Sequence, residues 1–210
     1  MRNYWTKLML TMFLAILLSG CAGDVNSDGK KDPNTDNSAE KIEKQEGQID
    51  PQAQAELKDV NNKTIGTVSF LVDEDNHIQV NASIDGLEAG HHGIHIHEKG
   101  ICEADAKDGP FTTAGGHFNP DGKQHSEHAG DLPSLYVNED GRAEYSARLD
   151  RLTIDQLKAQ ELAVVVHSSP DNFGNIPERY QTEGKPGADE TTLKAGDAGD
   201  RQACGAIVSR

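Results

Sequence analysis

The residues of this chain best suited to chemistry are its histidines, of which there are nine. Two of them, His95 and His97, stand two apart in Gly93-Ile-His-Ile-His97. On a β-strand, residues i and i+2 point to the same side, so the spacing sets two imidazoles next to each other on a rigid support. Ile94 and Ile96 then face the core. Two solvated surface histidines would show the same spacing, so the pair alone decides nothing. Shortly afterwards come His117, His125, His128 and Asp131, in a glycine-rich stretch. Three imidazoles and one carboxylate make a closed tetrahedral set, which suits structural zinc. Four imidazole nitrogens suit copper, and His167, at the end of an apolar run, supplies the remaining ring. Seven ligands for two four-coordinate ions require one shared ligand. His117 can be shared, because a deprotonated imidazole has a lone pair on each nitrogen. The other histidines read blandly: His77 as an exposed hairpin residue, His91 and His92 as turn residues.

Strands must position these groups. Val68, Phe70 and Val72 follow an imperfect two-residue period, and Ile78, Val80, Ala82 and Ile84 a clean one. Asp75-Asn76 between them is turn chemistry, so the two runs read as a hairpin. A strand is expected over 93–98. Residues 135–137 and 143–149 flank Asn138-Glu-Asp-Gly141, a second hairpin signal. The apolar run 162–166 reads as a central strand, and 204–208 as the last one. Thr153 caps a short helical turn over 153–160. The glycine count, 21, also speaks against a helical bundle. The sum is an all-β antiparallel sandwich or barrel with two long irregular stretches, 99–133 and 168–201. Loops of that length in a compact domain are usually functional.

The N-terminal part reads as an address. Arg2 and Lys7 precede an apolar run over 8–18, which is shorter than the roughly 20 residues a membrane helix needs. It ends in Leu18-Ser19-Gly20-Cys21, which resembles a bacterial lipobox whose Cys21 is lipidated. Two acyl chains on one cysteine are enough for stable anchoring. Trp5 would leave with the signal segment. Residues 22–51 are polar and charged without apolar period, and read as a disordered tether. The folded domain is expected over 52–210. The formal charge of -15 argues against nucleic acid as a partner. Cys102 and Cys204 are left either as a disulfide or as two unpaired buried thiols; export favours the disulfide.

Taken together, Gly93-Ile-His-Ile-His-Glu98, Gly116-His-Phe-Asn-Pro120, His128-Ala-Gly-Asp-Leu132, Val166-His167 and Gly199-Asp-Arg-Gln-Ala-Cys-Gly-Ala-Ile207 resemble the copper/zinc superoxide dismutases. Asn175-Ile-Pro-Glu-Arg-Tyr180 is similar to bacterial members. The resemblance runs from about residue 52 to the C-terminus. It implies an eight-stranded antiparallel Greek-key β-barrel with two long functional loops. It assigns copper to His95, His97, His117 and His167, and zinc to His117, His125, His128 and Asp131, with His117 as the bridge. It pairs Cys102 with Cys204, sets Arg201 beside copper, and makes Asp171 the carboxylate that links a copper histidine to a zinc histidine. The implied activity converts superoxide to dioxygen and hydrogen peroxide by alternate reduction and oxidation of copper. Arg201 and His117 carry that chemistry, in an extracytoplasmic lipoprotein held to the membrane through Cys21. Monomer and homodimer both stay open. One departure stands out: only Ser126-Glu127 separates His125 from His128, where bacterial relatives usually have a longer segment. Three rivals are a copper-handling protein without turnover, a zinc hydrolase and a structural surface lipoprotein with vestigial ligands. The hydrolase needs an open zinc position that this ligand set does not leave. Lys185 and Lys194, in the second long loop, read as a solvated face rather than as helpers of Arg201.

Overall fold

A computed structural model describes residues 50–210. Cys21, the apolar run and nearly all of the expected tether lie outside the described residues. The strands are β1 (Ala53–Asp59), β2 (Thr64–Val72), β3 (Ile78–Asp85), β4 (Gly90–His92), β5 (Ile94–His97), β6 (Leu135–Val137), β7 (Arg142–Leu149), β8 (Ala163–His167), β9 (Gln181–Thr182), β10 (Lys185–Pro186) and β11 (Arg201–Ser209). Two short helices are α1 (Ile154–Ala159) and α2 (Thr192–Ala195).

A seven-stranded sheet runs β5-β8-β11-β1-β2-β3-β7, and β4 pairs with β6. Every pairing is antiparallel. β4 and β5 are one chain segment broken at Gly93, so β6 is the eighth strand beside the seven of the sheet. β6 also turns directly into β7, with the Arg142 carbonyl accepting from the Asn138 N–H at 2.8 Å. The curled sheet thereby has the neighbours of the expected eight-stranded barrel. After β3 the chain does not continue to its neighbour β7 but crosses to β4, as a Greek key does.

Alternation explains why these segments form strands. Ile78, Val80, Ala82 and Ile84 are buried along β3, and the residues between them are not. β8 is buried at every position, as a central strand should be. The strand β1 was not expected. Its inward residues are Ala53, Ala55 and Leu57, and two alanines give little hydrophobic contrast. Leu57, Phe70, Ile94, Ile96 and Val164 meet in the core. Each large apolar side chain buried this way stabilises the fold by roughly 1.5–3 kcal/mol. α1 begins as expected: the Thr153 hydroxyl accepts from the Gln156 N–H, and the Gln156 side chain accepts from the Thr153 N–H.

Both long loops are present. Residues 98–134 carry only one 3-10 turn, Thr112–Ala114, and 168–200 carry only the β9–β10 ribbon and α2. The disulfide between Cys102 and Cys204 pins the first loop to β11. This settles the alternative left open for the two thiols.

Candidate metal centre

β5 delivers its residues as the spacing requires. Ile94 and Ile96 enter the core, while His95 and His97 point to the opposite side and are buried as well. Two isolated bridges fold the first long loop against β5, joining His95 to Asp131 and His97 to His117. Gly130 is essential to this approach, because a Cβ there would strike the Ile96 carbonyl oxygen. β8 pairs with β5 and brings His167 to the same place.

Four rings therefore converge. His95, His97, His117 and His167 each offer a nitrogen within 4.8 Å of the others. His117, His125, His128 and Asp131 form a second set with the same closeness. The short Ser126-Glu127 segment does not keep His128 and Asp131 from reaching it. His117 belongs to both sets.

The outer hydrogen bonds determine which atom each ring can present. His97 Nδ1 lies 3.0 Å from the Gly115 carbonyl and His167 Nδ1 lies 3.1 Å from the Gly199 carbonyl. A carbonyl only accepts, so Nδ1 carries the proton in both neutral rings and Nε2 carries a lone pair. The two Nε2 atoms face each other at 3.4 Å. Asp171 accepts from His95 Nε2 at 2.6 Å and from His125 Nε2 at 2.8 Å. That leaves Nδ1 of each ring pointing inward. His117 Nδ1 is 2.8 Å from Asp131 Oδ1, which leaves Nε2 for the other set. His95 Nδ1, His117 Nε2 and His125 Nδ1 are all buried without a hydrogen-bond partner. His125 Nδ1 does lie 3.0 Å from Asp131 Oδ2, a contact that brings the charges close without hydrogen-bond alignment. Buried polar atoms are normally satisfied. Three orphaned nitrogens aimed at two common points are what metal ligands look like without their ions. Four imidazoles fit copper, and three imidazoles with a carboxylate fit zinc.

The electrostatics agree. Burial, with the like charges of neighbouring rings, pushes His97 well below the ordinary histidine value and His167 down to about 3. Burial lowers His117 to about 4 although Asp131 pulls the other way. These rings are neutral at pH 7, the form that donates a lone pair. Burial also opposes the charge on Asp131, but the His117, His125 and His128 rings held against it outweigh that and keep the carboxyl far below its usual range. Asp171 is held low in the same way by His125 and His95. Burial lowers His125, yet Asp131 and Asp171 together raise it to about 9. This ring sits between two carboxylates and carries a proton on both nitrogens at pH 7 without an ion, so a bound metal would displace the Nδ1 proton.

Gly196 makes the Asp171 bridge sterically feasible. Its φ is +59°, and a Cβ there would collide with Asp171 Oδ1 and His125 Nε2. Arg201 lies opposite His167 in the β8–β11 register. Its Nη1 donates to the Phe111 carbonyl at 2.5 Å and its Nη2 to the Gly115 carbonyl at 2.6 Å. Gly115 thus accepts from both Arg201 and His97.

Sequence reasoning missed one residue. His92 is no turn residue but the buried end of β4. Its Nδ1 lies 2.8 Å from the carbonyl of His167 and its Nε2 2.9 Å from that of Glu88. Only the strand period, applied from Gly90 onward, could have separated it from the exposed His91. His91 is not a turn residue either: it lies on β4, paired with Tyr136 and exposed. Lys194 is exposed as expected and pairs with Glu190 at 2.6 Å. His77 stands with Asp73 and Asp75 in a further cluster, but the Arg148 guanidinium fills it, at 2.7 Å from Asp73 and 2.8 Å from Asp75.

Known proteins are similar to this chain. The family model described as copper/zinc superoxide dismutase (SODC) matches residues 64–207. A protein of Mycobacterium tuberculosis named superoxide dismutase [Cu-Zn] is 46% identical over 132 residues, which is 59% of this chain and 55% of that protein. The protein of the same name from Escherichia coli K12 is 34% identical over 155 residues, covering 69% of this chain and 79% of the relative. The match to the mycobacterial relatives thus spans little more than half of their length. The solved structure of the clock protein EA4 aligns with a TM-score of 0.59 at 29% identity, over 76% of this chain and 96% of that one. With the motifs, the two donor sets and every strand but β1 and the end of β11 falling inside the matched span, this chain belongs to the copper/zinc superoxide dismutase family.

Proposed function

We propose that the protein is an extracytoplasmic superoxide dismutase, held to a membrane through a lipidated Cys21. His95, His97, His117 and His167 would hold copper; His117, His125, His128 and Asp131 would hold zinc. The chemistry supplied by bound copper is one-electron exchange, which turns two superoxide ions and two protons into dioxygen and hydrogen peroxide. His117 can hold a proton at Nε2 while Nδ1 stays with the Asp131 set, and can release it again. Asp131, His125 and His128 keep that ring in place whichever state Nε2 is in. Asp171 fixes the tautomer and tilt of His95 and His125 together, as an outer carboxylate does for metal-binding rings. Arg201 presents a planar cation whose two terminal nitrogens are already tied to carbonyls, so its fork meets a small anion with little freedom left to lose.

The observation that carries this reading is the pair of four-donor sets joined at His117, with buried ring nitrogens left unsatisfied at their centres. The test is metal analysis of the full chain together with pulse radiolysis of superoxide decay. One copper, one zinc and rapid decay are expected. Copper and zinc without decay would overturn the enzyme in favour of a copper-handling protein, and zinc alone would leave a structural role. Membrane attachment is tested separately: Cys21→Ser should release the protein from the membrane fraction, and retention would sink the anchor.

A further inference from the structure

Only Ser126 and Glu127 separate His125 from His128. An extended chain advances by at most about 3.3–3.6 Å per residue, so this link holds little slack. A displacement of its backbone is passed on to both imidazoles. Three backbone hydrogen bonds hold the segment from within the loops. The His125 N–H donates to the Leu193 carbonyl at 2.9 Å, in the second long loop. The Glu127 N–H turns back to the Gln124 carbonyl at 2.8 Å, and the His128 N–H donates to Asp131 Oδ2 at 3.0 Å. None of these reaches the barrel wall.

Arg151 does supply that link. It lies in the connection between β7 and α1, and its Nη1 donates to the Ser126 carbonyl at 2.6 Å. This is the short contact that a charged donor makes. The backbone around Arg151 is anchored, because Leu149 and Leu152 are core residues and Thr153 opens the capping box of α1. The guanidinium reaches out between two hollows, of about 350 Å³ and about 300 Å³, which share Arg151 in their linings. Ser126 and Asp131 line the first, and Glu127 lines the second. With open space on both sides, the hydrogen bond rather than packing ties the segment to the wall here. Arg148 also lines the first hollow, but its guanidinium is engaged by Asp73 and Asp75.

We propose that Arg151 is a positioning residue for the zinc set: it holds the Ser126 carbonyl against the barrel and so keeps His125 and His128 at the spacing that one ion requires. The inference rests on the proposed assignment of zinc to these rings. The sign of the effect separates this role from a purely electrostatic one. A guanidinium repels a nearby cation, so loss of its charge alone would tighten zinc, whereas loss of the tie would loosen it. Arg151 is exposed, and water and salt screen the repulsion. The tie therefore dominates.

The experiment compares the full chain with Arg151→Ala and Arg151→Lys. Arg142→Ala serves as a control, since Arg142 is exposed on β7 and lines neither hollow. Zinc and copper affinities are measured by competition with chelators, and hydrogen exchange across residues 125–128 is followed by mass spectrometry in the metal-free chain. Arg151→Ala is expected to weaken zinc by about three- to tenfold, as losing a hydrogen bond from a charged donor would, and to leave copper unchanged. Exchange across 125–128 should speed up in the same variant. Arg151→Lys keeps the charge and a donor, and should recover part of the zinc affinity. Arg142→Ala should change none of the three quantities. Equal or tighter zinc binding in Arg151→Ala would overturn the proposal, as would an equal loss at copper or an equal loss from Arg142→Ala. Wild type that takes up no zinc would defeat the zinc assignment instead, and the exchange rates would still decide whether Arg151 holds the segment.

Discussion

The two donor sets share one ring but are assembled in opposite ways. Three of the copper rings come from paired strands, with His95 and His97 on β5 and His167 on β8. The zinc set lies within one loop, from His117 to Asp131, which meets β5 only through isolated bridges at those two ends. Strand rings inherit the rigidity of the backbone ladder that joins β5 to β8. Loop ligands depend on side-chain ties: Asp131 to His117, His125 and His128, and Asp171 to His125. One site is therefore preorganised by the barrel, and the other by a few carboxylate contacts.

The largest expected effect tests the ring they share. His117→Ala should abolish superoxide turnover and weaken zinc by more than tenfold, read by pulse radiolysis and by competition with a zinc chelator. Loss of only one function would break the shared-ring geometry. Next, Cys102→Ser removes a link that closes a long stretch of chain, with a sequence separation of 102. The chain-entropy model gives a loss of about 4–5 kcal/mol, measurable by urea denaturation. Because the disulfide anchors the loop whose carbonyls hold Arg201 and His97, copper binding should suffer more than zinc binding. Asp171→Asn should cost about 10- to 100-fold in metal affinity, with zinc losing more than copper. His95 keeps its strand when Asp171 is altered, whereas His125 has only the loop. Equal losses at both metals would erase the proposed difference in rigidity. Thr153→Ala removes a helix cap away from both sets and should cost about 1 kcal/mol without moving either metal affinity.

The sequence disclosed these regions unequally. His95 and His97 were legible because a two-residue period fixes both rings on one side of a strand. The zinc set was legible because its ligands are close in the chain. The meeting of β5 with β8 was not, since pairing at a sequence separation of 66 or more follows from topology rather than from any local pattern; His167 entered the copper set as the remaining ring, and the resemblance assigned it there. β1 escaped because its inward alanines barely differ in hydropathy from their neighbours. His92 escaped because two adjacent identical residues differ only in the side of β4 they occupy.

The carbonyl oxygen of Gly115 touches both the guanidinium of Arg201 and the ring of His97. A single atom thereby ties the group that would greet the substrate to a group that would hold the redox ion. A shift of that oxygen would detune both at once, so partly opened forms of the loop should lose anion affinity and copper coordination in step. A thiol titration that separated the two midpoints would show the coupling to be absent.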